Sequence, residues 1–334
     1  MATMKQIAER AGVSTATVSH VINKNRYVSD AVRDRVQAAM NEFGYVLNGL
    51  ARSLRVSGTR TLGMIVPNCS NPFFAELMRA VEDEGFRQGY SLIVCNSDDS
   101  PAKQSAYLRV LLEKRIDGLV VISAGNDGDL QQLLSNTAVP VVVVDRAIAG
   151  VLADLVEVNH EHGGYMAARH LIELGHRRIA CITGPIALGV NEERTRGFKR
   201  AMDEFGLALA PEYLVHANFT SSDGYAAMQH LLALAERPTA VSADNDLLAL
   251  GALCAVQEAG LSVPDDLSII GFDDIAIAAF TSPKLTTIRQ PKQQIGELAA
   301  RLLIERIGGQ QQALRHEIFA PELCIRQSTS PLHQ

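Results

Sequence analysis

Hydrophobic and polar positions follow different rhythms along this 334-residue chain, and each change of rhythm marks a part of it. Over residues 4–23 the apolar positions Ile7, Ala8 and Ala11 recur at helical spacing until Gly12 interrupts them. A glycine at that point predicts a left-handed helix end and a tight turn. Ser14 is placed to cap a second helix by accepting a backbone N–H. That helix would bury Val18, Val21 and Ile22 and turn Thr15, Ala16, Thr17, Ser19 and His20 outward. Two short helices about a glycine, the second polar on one side, predict a helix-turn-helix; an ordinary helical hairpin is the alternative. Ser29 is then expected to cap a third helix over about 30–43, with Val32, Val36, Ala39 and Met40 on one face and Gly44 as its stop.

Residues 48–56, NGLARSLRV, place Leu50 and Leu54 on one helical face beside Arg52 and Arg55. An isolated helix shorter than about 12 residues is marginal in water. The stretch reads as a linker, or as a helix that forms only when docked on DNA. From Thr61 onward, apolar strand-like runs alternate with helical ones: strands at 62–66, 91–95, 118–122, 141–144 and 155–158, with helices at 73–88, 103–113 and 130–134. After His160 the rhythm restarts, with strands at 179–183, 213–216, 240–242, 267–272 and 286–288, a last helix at 294–306 and a strand near 322–325. Near-continuous Val/Ile strands in such alternation predict buried parallel sheets covered by helices, so an α/β fold of two doubly wound lobes with a cleft between them. The expected boundaries are 1–46 for the helix-turn-helix domain, 47–59 for hinge and linker, and 60–334 for a ligand-binding domain. Its first lobe would take about 60–159 and 291–321, and its second about 160–290 and 322–334.

Charge sharpens this division. Residues 1–60 carry nine Lys and Arg against four Asp and Glu, a net of +5; the whole chain is −6, leaving −11 to the rest. A basic head on an acidic body makes the head the nucleic-acid candidate, with Lys24 and Arg26 in reach of phosphate. No apolar run reaches the roughly 18 residues of a membrane span, and no signal-peptide pattern opens the chain, so no membrane and a cytoplasmic location are expected. The five cysteines are scattered without a C-x-x-C pair, and three lie in or beside apolar runs, as small buried hydrophobes do.

Ligands of open α/β sheets bind beyond the carboxyl ends of the strands. The residues found there are Asn71, Phe73 and Phe74, then Asp145 and Arg146, then Arg194 and Phe219, then Asp244-Asn245-Asp246, Asp273-Asp274 and Gln290. Guanidinium, carboxylate and amide groups suit a compact molecule crowded with hydroxyls, and flat rings can cover the C–H faces of a sugar. Asp145 and Asp273 offset Arg146 and Arg194, which favours a neutral ligand. Taken singly, each loop Asp or Asn is also an ordinary turn former or helix cap. No phosphate-binding glycine loop, H-E-x-x-H or G-x-S-x-G is present. His160 and His162 lack a third ligand nearby, so neither metal nor cofactor is expected. Asp145 with Asp273 could mimic a glycosidase pair, but their cationic and polar neighbours favour binding over catalysis.

The segments VSTATVSHVIN, ARSLR, SNPFF, GFDD and TTIRQP together resemble the lactose/galactose-repressor family of bacterial transcription regulators over essentially the whole length. The resemblance implies a homodimer on a pseudo-palindromic operator, with a two-lobed effector domain like that of periplasmic binding proteins. It places the helix over residues 15–23 in the major groove and Leu54 in the minor groove. It makes Thr15, Ala16 and His20 base-reading positions, with Thr17, Asn23, Arg26 and Arg55 as further DNA contacts. The pocket looks most like that of ribose-responsive members and ribose-binding proteins, and the resemblance carries over to Asn71, Phe73, Phe74, Asp145, Arg146, Arg194, Phe219, Asn245, Phe272, Asp273 and Gln290. That implies D-ribose as an inducer that releases DNA. Another sugar, or a purine acting as corepressor, is the alternative; a sugar-binding or sugar-processing protein without DNA activity is a more distant one.

Overall fold

The computed structural model describes residues 2–23, 26–45, 58–122, 128–185, 189–310 and 312–332. The chain forms two compact units, Met1–Thr59 and Arg60–Gln334.

In the smaller unit, α1 (Met4–Ala11) starts at Thr3, which exchanges backbone and side-chain hydrogen bonds with Gln6. Gly12 adopts φ 65°, and its N–H closes onto the carbonyls of Ala8 and Glu9. At the start of α2 (Thr15–Asn23), Ser14 Oγ accepts the Thr17 N–H at 3.1 Å. Ile7, Ala8, Ala11 and Val18 pack on Val36, Ala39 and Met40 of α3 (Asp30–Glu42). Two expectations fail in detail. Val21 and Ile22 are only half-buried, because so small a core encloses one row of α2 side chains fully. Ser29 makes no side-chain cap; Arg33 reaches back to Asp30 and the Val28 carbonyl instead.

The larger unit holds two six-stranded sheets. The first runs β11 (His316–Phe319), β5 (Asp154–Val158), β4 (Val141–Val144), β3 (Gly118–Ile122), β1 (Thr61–Val66), β2 (Ser91–Asn96), all parallel. The second runs β12 (Glu322–Cys324), β10 (Thr286–Arg289), β9 (Ser268–Asp273), β8 (Ala240–Ala243), β6 (Ile179–Thr183), β7 (Leu214–His216), with only β12 antiparallel. Every residue of the run GLVVI in β3 is buried, as a strand covered on both faces requires. Strand β11 was not visible in the pattern because its HEIF is largely exposed at a sheet edge.

The helices of this unit are α4 (Pro72–Arg87), α5 (Pro101–Glu113), α6 (Gly128–Asn136), α7 (His160–Glu173), α8 (Gly189–Glu204), α9 (Ser221–Leu232), α10 (Asp246–Glu258) and α11 (Lys292–Ile307). The chain passes from the first sheet to the second after β5. It returns with α11, which packs on α4 and on β3, β4 and β5, and crosses again between β11 and β12. These crossings bring the carboxyl ends of both sheets to one cleft.

Candidate functional site

The cleft is assembled from strand ends and helix starts. Asn71 caps α4 by accepting the Phe73 N–H at 3.0 Å, and Asn245 caps α10 by accepting the Leu248 N–H at 2.8 Å. Both carbonyl oxygens are therefore spent on helix termini, and the buried amide NH2 groups remain for a ligand. Phe73 and Phe74 meet edge to face, centroids 5.1 Å apart. Phe73 is packed among apolar residues of the second lobe, so α4 seals one side of the cleft. Phe219 lies beside Gly184, where a Cβ would come within 2.4 Å of its ring.

The polar centre links five of the predicted residues into one network. Arg194 is buried on α8, its guanidinium 3.9 Å over the Phe272 ring. Its Nε donates to His160 Nδ1 at 3.2 Å, one Nη donates to the Asp244 carbonyl, and the other stands 4.0 Å from Asp273 Oδ1. His160 Nε2 meets Asp145 Oδ1 at 3.0 Å. Gln290 Nε2 donates to Asp273 Oδ1 at 2.7 Å. Asp145 and Asp273 both hold positive φ, 79° and 110°, which marks backbone strain at the two carboxylates.

The two carboxylates are driven apart in acidity. Burial alone would raise Asp145, but the hydrogen bond from His160 and the charges of Arg194 and Arg146 outweigh it and hold the carboxyl at about 2. Burial dominates at Asp273 and lifts it to about 6, against the opposing charges of Arg194 and Lys292. Arg146 is half-buried near Asp145 and Asp99. The exposed Asp99 carboxyl is raised by partial desolvation and lowered in turn by the Arg146 charge.

Three groups in the cleft, His160, Lys292 and Asn191, escape a reading of strand ends, which does include Asp244. His160 lies two residues past the end of β5, after the helix cap Asn159, and in sequence alone it reads only as a metal candidate. Asp244, buried, takes the Thr183 hydroxyl at 2.5 Å besides holding Arg194. Lys292 Nζ donates to the carbonyls of Asp273 and Asp274 and pairs with Glu76 of α4 at 3.3 Å, tying the lobes together. Asn191 and Gln290 each bury a side-chain carbonyl oxygen that has no partner. Two unpaired buried acceptors call for a ligand that donates, through hydroxyls or N–H groups. Among the described residues no cluster of His, Cys, Asp and Glu is arranged to hold a metal ion.

On the smaller unit, Thr15 and Ala16 are exposed on α2 and His20 is half-exposed beside them. Thr17 shares a hydrogen bond with Ser14, and Asn23 folds back onto Ser19. Arg26 is exposed, and next to it Tyr27 is 92% exposed, an aromatic that the charge count overlooked. Leu54 and Arg55 lie outside the described residues.

Known proteins resemble both units. The family described as bacterial regulatory proteins, lacI family, matches residues 3–48, and the periplasmic binding protein-like domain matches 168–329. The HTH-type transcriptional repressor PurR of Aliivibrio salmonicida is 43% identical over 99% of this chain and 100% of its own. The lac repressor dimer bound to operator and the anti-inducer ONPF superposes with a TM-score of 0.87 at 27% identity, covering 98% of this chain and 99% of that one. A LacI family transcriptional regulator from Enterococcus faecium with bound ribose gives 0.75 at 34% identity, covering 82% and 100%.

Proposed function

The chain belongs to the lacI family of bacterial regulatory proteins and is an effector-controlled, DNA-binding transcriptional repressor, and from that premise we propose how it is controlled. The effector is a small, uncharged, donor-rich molecule held in the cleft by Asp145, Arg194, Asp273 and Gln290, with Phe74, Phe219 and Phe272 as apolar walls. The observation that carries this is the unpartnered, buried carbonyl of Gln290 beside the raised carboxyl of Asp273. Asn71, Phe73 and Asn245 frame the site, and the Arg146 charge acts on Asp145 and Asp99 beside it.

Relatives named PurR favour a purine acting as corepressor over the ribose expected from the pocket residues. A purine offers ring N–H donors for the free carbonyls and a flat face for the phenylalanines. Ribose remains the second reading, supported by the ribose-bound regulator at 34% identity and by the two carboxylates suited to hydroxyls. The two differ in sign: a corepressor strengthens operator binding and an inducer weakens it, through a coupling of about 1–3 kcal/mol.

The head reads DNA through Thr15, Ala16 and His20, with Thr17, Asn23, Arg26 and Arg55 on the backbone and Leu54 in the minor groove. It does so as a homodimer on a pseudo-palindromic operator in the bacterial cytoplasm. Fluorescence anisotropy of an operator selected from a random pool, titrated with pentoses, hexoses and purines, decides the effector. Tightening by a purine base supports the first reading, and loosening by D-ribose the second. No response to either class sinks both.

A further inference from the structure

His160 is 1% exposed at the first turn of α7 and sits between the anion of the first lobe and the cation of the second. An arginine Nε–H can only donate, so the bond from Arg194 requires a lone pair on His160 Nδ1. The ring proton must then reside on Nε2, where it points at Asp145 Oδ1. One side chain thus supplies an acceptor to a guanidinium and a donor to a carboxylate, and keeps the two from meeting directly.

We propose that His160 is the positioning residue of the effector cleft, holding Arg194 so that its outer nitrogen faces the ligand. The inference rests on the effector reading of that cleft. Nε is held by His160, one Nη by the Asp244 carbonyl, and the ring of Phe272 lies beneath, so three contacts restrain the Arg194 guanidinium. Its remaining Nη stands 4.0 Å from Asp273, beyond hydrogen-bond length, and is presented to whatever enters. Without the imidazole, the guanidinium is drawn onto Asp145 or Asp273 as a bidentate pair, which consumes both the donor and the acceptor that the ligand needs. Gly163 and Gly164, next on α7, let the helix approach Phe272 and Arg194 closely enough for this: a Cβ on either would come within 2.7 Å and 2.0 Å of them.

The test uses the full-length protein with 15N-labelled histidine. The His160 nitrogen signals are expected to report a protonated Nε2 and an unprotonated Nδ1; the opposite tautomer overturns the proposal. Calorimetric affinity for D-ribose and for guanine is measured in parallel. His160→Ala is expected to weaken whichever binds by about tenfold or more, the cost of one lost buried partner. His160→Gln, whose amide can accept from Arg194 and donate to Asp145, is expected to restore most of the loss. Undiminished binding by His160→Ala, or His160→Gln as weak as alanine, also overturns it. If wild type binds neither probe, the effector reading fails, whereas the tautomer still decides the wiring of His160.

Discussion

Gly164 lies against the backbone of Arg194 so closely that a Cβ on it would come within 2.0 Å of the Arg194 carbonyl oxygen. Gly197 returns the contact, its would-be Cβ 1.8 Å from the Glu161 carbonyl. Helices α7 and α8 therefore touch backbone to backbone, and this contact fixes where the Arg194 side chain begins. Gly164→Ala must spread the two helices. It is expected to destabilise the protein by about 1–3 kcal/mol or more, the usual cost of overpacking, and to lower effector affinity with it. Urea denaturation checks this against Gly189→Ala, which has open space around it and should change little.

The opposed acidities of Asp145 and Asp273 predict a pH profile. Asp145, at about 2, stays ionised across the working range, so Asp145→Asn should weaken the effector equally at every pH. Asp273, at about 6, takes up a proton on mild acidification, which replaces an anionic acceptor by an O–H donor and a weaker neutral acceptor. Affinity measured by calorimetry should fall as pH drops through 6 in wild type, and this inflection should vanish in Asp273→Asn. For stability the sign is reversed. The folded value lies above the ordinary 3.8, so the native state binds the extra proton, and the Asp273 contribution to stability improves as pH falls through 6.

Much of this design is legible in sequence, for reasons that also mark its limits. Buried strands such as VVVV at β4 announce themselves because both faces are covered. Strand β11 stays hidden because an exposed edge needs no apolar pattern. Arg194 and Arg196 look equivalent in the chain, yet two residues on a helix point to nearly opposite sides. Arg194 enters the cleft, while Arg196 pairs with Glu161 at 2.7 Å on the surface. Asn71 and Asn245 illustrate the ambiguity of loop amides: each is a helix cap and also a cleft residue, and only the fold reveals that the oxygen is spent. His160 required knowing that β5 ends beside β4, a matter of sheet order that local pattern does not carry.

A second buried pair stabilises the returning strand. Arg306 of α11 grips Asp154 with two bonds of 2.8 Å and also donates to the carbonyls of Gln312 and Ala313, pinning the approach to β11. The Asp154 side chain is fully buried, so removing its cation strands a charge. Arg306→Met is expected to cost about 3–5 kcal/mol in chemical denaturation, and Arg306→Met with Asp154→Leu clearly less. Burial raises the Asp154 carboxyl, but the bonds from Arg306 and Arg315 lower it further than that. Its contribution is thus complete at neutral pH and is lost as pH falls below the ordinary carboxylate range.

The head should separate affinity from sequence reading. Arg26 is exposed in a segment of net positive charge, and the proposed DNA contact would have it neutralise a phosphate. Each phosphate so neutralised contributes about 0.9 to the slope of log affinity against log salt on duplex DNA. Arg26→Ala should reduce that slope by about this amount and weaken selected operator and shuffled DNA alike. Ala16, exposed at the start of α2, has no polar reach and can only touch a thymine methyl or leave room. Ala16→Gln adds an amide that can pair with adenine, so it should alter which operators a random pool yields while leaving the salt slope unchanged. Anisotropy titrations over a range of potassium chloride measure both effects. An unchanged slope in Arg26→Ala, or an unchanged operator preference in Ala16→Gln, would remove that residue from the DNA face.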